Sequence, residues 1–154
     1  MRNFIETFES AFERLHARSC ELVSATPASQ LFAKPFENSE SFSFGELIVR
    51  SAGKVEQTFG GITSRLWDDP FEWTLPEELS TGEKILEYFG EVRQTRERGF
   101  QFLDSDEVLT REIPSPEKMR TIFEILLSTL IEAERYEANS IVVREFFVLP
   151  KENF

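Results

Sequence analysis

The sequence predicts an all-α protein, a four-helix bundle with longer crossover connections. Three observations carry that expectation. Apolar residues recur at spacings of three and four over four stretches, no stretch alternates as a strand does, and short Pro- and Ser-marked breaks divide the stretches. The chain of 154 residues is 40% hydrophobic and 29% charged, with 16 Phe to fill a core. It reads as a single domain over residues 1–154.

The first helix is expected from about Asn3 to Val23, with a stripe of Phe4, Phe8, Phe12, Leu15, Ser19 and Leu22. Residues 24–43 hold Pro27, Pro35, Asn38 and several serines, and read as a long connection with one helical turn at Ala28–Ala33. The second helix starts sharply, because Ser43-Phe44-Gly45-Glu46 fits a capping box. Its stripe is Phe44, Leu47, Ile48, Val55, Phe59, Ile62 and Leu66, and Asp68-Asp69-Pro70 is its expected end. Its four glycines either permit close approach of a neighbour or make the helix irregular near Gly60-Gly61.

Ser80-Thr81-Gly82-Glu83 repeats the capping-box pattern and opens a third helix to about Leu103. Its stripe includes Phe89, Val92, Arg96 and Phe100. Ser115-Pro116 supplies an N-cap and a first-turn proline for a fourth helix to Phe147, stopped by Pro150. Its stripe is Met119, Ile122/Phe123, Leu126, Leu130, Ala133, Glu137 and Ile141. The longer connections, 24–43 and 67–80, suggest crossovers.

Composition narrows the function. One histidine, His16, and one cysteine, Cys20, exclude a His- or Cys-rich metal site within one chain. They also leave no Ser-His-Asp triad unless His16 serves it. The net charge of −11 opposes binding to nucleic acid or to an anionic membrane. No signal peptide is expected from Met1-Arg2-Asn3-Phe4-Ile5-Glu6, and the most apolar stretch, Ile122 to Ala133, carries Glu124 and Glu132 and is too short to span a bilayer. With a cysteine that has no internal partner, the expected location is cytoplasmic.

Glu137 is the oddest residue, a carboxylate on the apolar stripe of the fourth helix. Such a group is paired, protonated or facing a cavity, unless the helix rolls it toward solvent. Arg50 on the second helix and Arg96 on the third compete as its partner, since a guanidinium grips a carboxylate bidentately. The segment Trp67–Trp73 reads as a loop over the end of the helices, a lid, or an oligomer contact.

Two stretches carry a resemblance. Ser43-Phe44-Gly45-Glu46-Leu47-Ile48-Val49-Arg50-Ser51-Ala52 is similar to the "leu-leu-x-His-leu-ala" helix of the DinB-like superfamily of four-helix-bundle metalloproteins. Leu130-Ile131-Glu132-Ala133-Glu134-Arg135-Tyr136-Glu137-Ala138-Asn139-Ser140-Ile141 is similar to its "His-x-x-x-His-arg-gly-gln-ile" helix. The resemblance covers nearly the full length. It implies three metal-binding positions, which fall here on Arg50, Ala133 and Glu137; a one-residue slide puts Glu132 and Tyr136 in place of the last two. None is a histidine, so no metal and no cofactor is expected. An Arg50–Glu137 ion pair, or a similar Arg–Glu contact, is expected at that position instead.

The resemblance leaves three function classes. The first is a metal-free DinB-like protein that binds a small molecule or a protein partner through the bundle cavity, with a homodimer through Phe146-Phe147-Val148-Leu149 also open. The second is an enzyme, either of the thiol-dependent S-transferase or isomerase type or a metal-independent one using Glu137 as base with Arg50 or Arg96 holding an anion. The third is a transferase that keeps Mg or Mn through Glu132, Glu134 and Glu137.

Overall fold

In a computed structural model, residues 1–36, 40–72 and 74–148 are described. The expectations that fall on Asn38, Trp73, Leu149 and Pro150 lie outside them. The protein is mostly helical, with four long helices and one small hairpin: α1 (Asn3–Ser24), α2 (Phe44–Ser64), α3 (Gly82–Gln101), β1 (Glu112–Pro114), β2 (Met119–Thr121) and α4 (Ile122–Val148). No helix among the described residues is long and apolar enough to cross a membrane.

The packing pairs define the arrangement. α2 packs most extensively on α4 and then on α3, while α1 packs on α3 and α4. α1 and α2 meet only lightly, so they stand diagonally, as do α3 and α4. Residues 25–43 therefore cross a diagonal, as the length of that connection suggested. Residues 65–81 join neighbours instead, and the second diagonal crossing belongs to residues 102–121.

Each helix start has a local cause except the first. The α2 box closes as read: Ser43 Oγ accepts from the Glu46 amide at 3.2 Å and Glu46 Oε1 accepts from the Ser43 amide at 3.2 Å. On α3 the cap is Thr81, one residue later than expected, accepting from the Lys84 amide at 3.2 Å. Arg2 gives α1 no side-chain cap. Asp106, from the turn after α3, does so instead, its two oxygens accepting from the Phe4 and Ile5 amides at 3.1 Å each.

α2 ends earlier than Asp68-Asp69-Pro70. Arg65 turns into the left-handed region at φ 62° and its amide reaches back to Gly61 O at 3.0 Å. The following segment then lies down on α2. A Cβ on Gly61 would stand 2.3 Å from the Trp67 indole, and one on Gly53 would stand 2.7 Å from the Phe71 ring. The glycines permit a close approach of chain to helix, and the helix stays regular through Gly60-Gly61.

α4 begins at Ile122 and not at Pro116. Ser115-Pro116 forms the tip of an antiparallel hairpin that pairs Glu112 with Thr121 and Pro114 with Met119, closed by Ser115 N to Lys118 O at 2.8 Å. Three-residue strands are too short to show alternation, and Ser-Pro serves a turn as well as a helix start. Ile113 buries in the core, and Thr121 Oγ1 accepts from the Glu124 amide at 3.1 Å as the true start of α4.

Phe12, Phe59 and Phe100, one from each of α1, α2 and α3, pack with ring centroids 5.1 to 6.1 Å apart at the core. Several expected stripe residues face outward, namely Phe4, Leu66 and Met119. The α4 inner face is Ile122, Ile125, Leu126, Thr129, Ala133, Glu137 and Ser140, while Leu127, Ile131 and Val142 lie on its exposed side. At the far end of α4 the Phe146 ring rests on Phe36 of the same chain, centroids 5.7 Å apart.

Candidate functional site

Glu137 is buried, 2% exposed, and the helix does not roll it toward solvent. Its partner is not Arg50. Oε1 accepts from Arg18 Nε at 2.9 Å and Oε2 accepts from Ser19 Oγ at 2.5 Å, both on α1. Arg18 Nη2 also donates to Glu134 at 2.6 Å, and these hydrogen bonds, with Glu137 foremost, hold the guanidinium above its ordinary range. The sequence carried a signal for this contact: Ser19 was the only polar residue on the α1 stripe.

Arg50 is engaged elsewhere. Its guanidinium lies 4.2 Å from the Phe42 ring centroid and 4.4 Å from that of Phe71, a double cation–π clamp. Its place on the flank of α2 turns it toward the connecting segments, away from α4. The neighbouring Ser51 is the residue that reaches α4, donating to the Ala133 carbonyl at 2.8 Å. Ala133 is fully buried with no side-chain donor, Glu132 pairs with Lys54 at 3.1 Å, and Tyr136 is half-buried. The positions that the resemblance implied are thus spread over three separate contacts.

Those residues do not fit a divalent metal. Arg50 is a cation held between rings, Ala133 offers only a carbonyl that already accepts, and both Glu137 oxygens are taken. Among the described residues no three His, Cys, Asp or Glu side chains gather to hold a metal ion. Beside this junction, a space lined by Phe12, Leu15, His16, Ser19, Ser51 and Val92 has about 30 Å³, room for one water.

His16 and Cys20 stand one turn apart on α1 with Nε2 3.6 Å from Sγ. Burial pushes the thiol above its ordinary range and the imidazole below it, so both are held neutral. Cys20 is half-buried.

Arg96, the other expected partner of Glu137, pairs with Glu13 at 2.6 Å and is 4% exposed. The two residues sit at a groove of about 830 Å³ between α1 and α3. Four arginines, Arg2, Arg14, Arg93 and Arg96, line it with Glu9, Glu13 and Glu97. Glu13 bridges Arg93 at 2.9 Å and Arg96 at 2.6 Å. Partial burial pushes its carboxyl up, but the Arg96 hydrogen bond and charge, with Arg93 and His16, outweigh this and hold it below the ordinary carboxylate range. Arg93 Nε meets Glu97 at 3.1 Å, and Arg2 meets Glu9 at 3.0 Å. Arg14 stands exposed at the groove. Spacing placed Arg96 on the α3 stripe. The groove itself was not legible, because it needs the α1–α3 pairing.

No protein-family model matches the chain, and no curated protein or solved structure matches it significantly.

Proposed function

We propose that the protein is a metal-independent, DinB-like four-helix bundle that binds a small ligand carrying an anionic group in the α1–α3 groove. One observation carries the reading: four of the 17 cationic side chains, in a chain of net charge −11, line one groove around a buried guanidinium. Its volume lies within the range of small-molecule sites. Arg96, fixed by Glu13 and by burial, presents a preorganised donor, so little side-chain entropy is lost when an anion docks. The space beside Ser19 and Ser51 has room for no more than a water, which moves the ligand from the interior to the groove. The occupied oxygens of Glu137 favour binding over acid–base chemistry there.

The test is a titration of ¹⁵N-labelled protein with mono-, di- and tricarboxylates, succinate and citrate among them. Saturable shifts confined to α1 and α3, weakened by Arg14→Ala and Arg93→Gln, are the expected result. Shifts that fail to saturate, or equal shifts with a diamine, would sink the reading.

A further inference from the structure

A second pocket lies between α2, α4 and the hairpin, with a volume of about 240 Å³. We propose that it binds a phosphate group, free or as a small monoester, between Lys54 and Arg120.

The pocket is built from distant parts of the chain. Trp67 Nε1 donates to Pro114 O at 3.2 Å and Gln57 Nε2 to Trp67 O at 3.4 Å, which tie the hairpin and the segment after α2 to the α2 surface. The Trp67 indole and Pro116 form walls, and the buried Thr58–Thr129 hydroxyl pair, 2.6 Å apart, lies at its base with Ile125. Ser115 and Ser128 add hydroxyls from the hairpin tip and from α4.

Arg120 is the reason to expect an anion. Its Nη2 donates to Ser128 Oγ at 2.7 Å, but its Nε is sealed from solvent without a hydrogen bond. Nε forms an ion pair with Glu124 Oε1 at 3.6 Å, beyond hydrogen-bond reach. Glu124 thus offsets the charge without hydrogen-bonding it, and the guanidinium, 22% exposed, keeps donor capacity for an acceptor that enters the pocket. Lys54, on α2, lines the same pocket, within 3.1 Å of Glu132 and 3.3 Å of Gln57 Oε1.

The donor arrangement selects the oxyanion. A planar carboxylate is best gripped by two parallel N–H groups of one guanidinium. Here the fork of Arg120 is split between Ser128 and the side facing Glu124, and the other donors come from α2, α4 and the hairpin. A set of donors drawn from three elements suits a tetrahedral group better than a planar one. The remaining volume, flanked by Trp67 and Ile125, takes a short carbon chain. Glu132 competes for Lys54, so it weakens binding of a dianion.

The probes are inorganic phosphate and glycerol phosphate, with acetate as the planar control, titrated at low ionic strength. The readout is the Trp67 indole N–H resonance in ¹⁵N-labelled protein, with Trp73→Phe identifying the signal. Saturable phosphate shifts are expected, with Arg120→Gln weakening affinity about tenfold or more. Glu132→Gln, a half-exposed change that leaves Arg120 in place, is expected to tighten it a few-fold. Tighter binding of glycerol phosphate than of phosphate assigns the site to a monoester, and the reverse assigns it to the free ion. No saturable Trp67 shift, acetate binding as tightly as phosphate, or an affinity unmoved by both Arg120→Gln and Glu132→Gln overturns the proposal. Arg93→Gln, in the α1–α3 groove, is expected to leave phosphate affinity here unchanged.

Discussion

Arg18 and Glu137 meet at 2.9 Å across α1 and α4 with unequal exposure, the guanidinium 45% and the carboxylate 3% exposed. The two halves of this pair are therefore not equivalent. Losing the arginine strands a carboxylate inside the protein, whereas losing the carboxylate frees an arginine that already meets water.

Arg18→Ala is accordingly expected to cost more than Glu137→Gln. Buried pairs cost several kcal/mol when broken from one side, and the exposure of Arg18 reduces this to about 2 kcal/mol. Glu137→Gln keeps an acceptor for Ser19 and should cost about half as much. Urea unfolding midpoints compare the two, and equal costs would refute the asymmetry.

Acid should weaken the α1–α3 junction in two stages. Burial first of all holds His16 below its ordinary 6.5, with Arg96 and Arg93 adding to it against the pull of Glu13 and Glu97. The neutral imidazole is thus favoured in the folded state, and its contribution, full above pH 6.5, declines as pH falls below that value. Glu13, held below its ordinary 4.5 by the arginines despite burial, contributes fully above 4.5 and loses that contribution as pH falls through its lower folded value. Unfolding free energy against pH should lose the upper decline in His16→Asn and the lower one in Glu13→Gln. A His16→Asn curve parallel to the parent between pH 7 and 5 would contradict this.

The same substitution should have opposite signs at two glycines. At Gly90 in α3 an added Cβ meets nothing within 4 Å, so Gly90→Ala removes unfolded-chain entropy and stabilises by about 0.5–1 kcal/mol. At Gly61 the added Cβ would stand 2.3 Å from the Trp67 ring, so Gly61→Ala destabilises by about 1–3 kcal/mol and shifts the tryptophan emission. Thermal melts with fluorescence and circular dichroism read both effects. A stabilising Gly61→Ala would mean Trp67 does not rest on α2.

Asp106 caps a helix more than 100 residues away in sequence. Asp106→Ala should cost about 1 kcal/mol. It should also speed hydrogen exchange at the Phe4 and Ile5 amides while leaving the middle of α1 protected. Unchanged exchange at those two amides would show that the cap does not form in solution.

What could be read from the chain by itself was whatever is decided within a turn or two of helix. The Ser43–Glu46 box, the helical periodicity and the place of Glu137 and Arg96 on apolar stripes all follow from spacing, because a helix places residues three and four apart on one face whatever it packs against. The partners of those buried charges could not be read that way. Glu137 takes Arg18 and Ser19, Arg96 takes Glu13, and Arg50 is captured by Phe42 and Phe71. Each choice depends on which helices are neighbours and in what register, which long-range packing decides and local pattern does not. The hairpin at Glu112–Thr121 and the remote cap from Asp106 belong to the same class, since three-residue strands and a cap borrowed from another segment leave no periodic trace. Both pockets follow suit: the tertiary fold alone brings their cations together, because those cations come from helices and turns far apart along the chain.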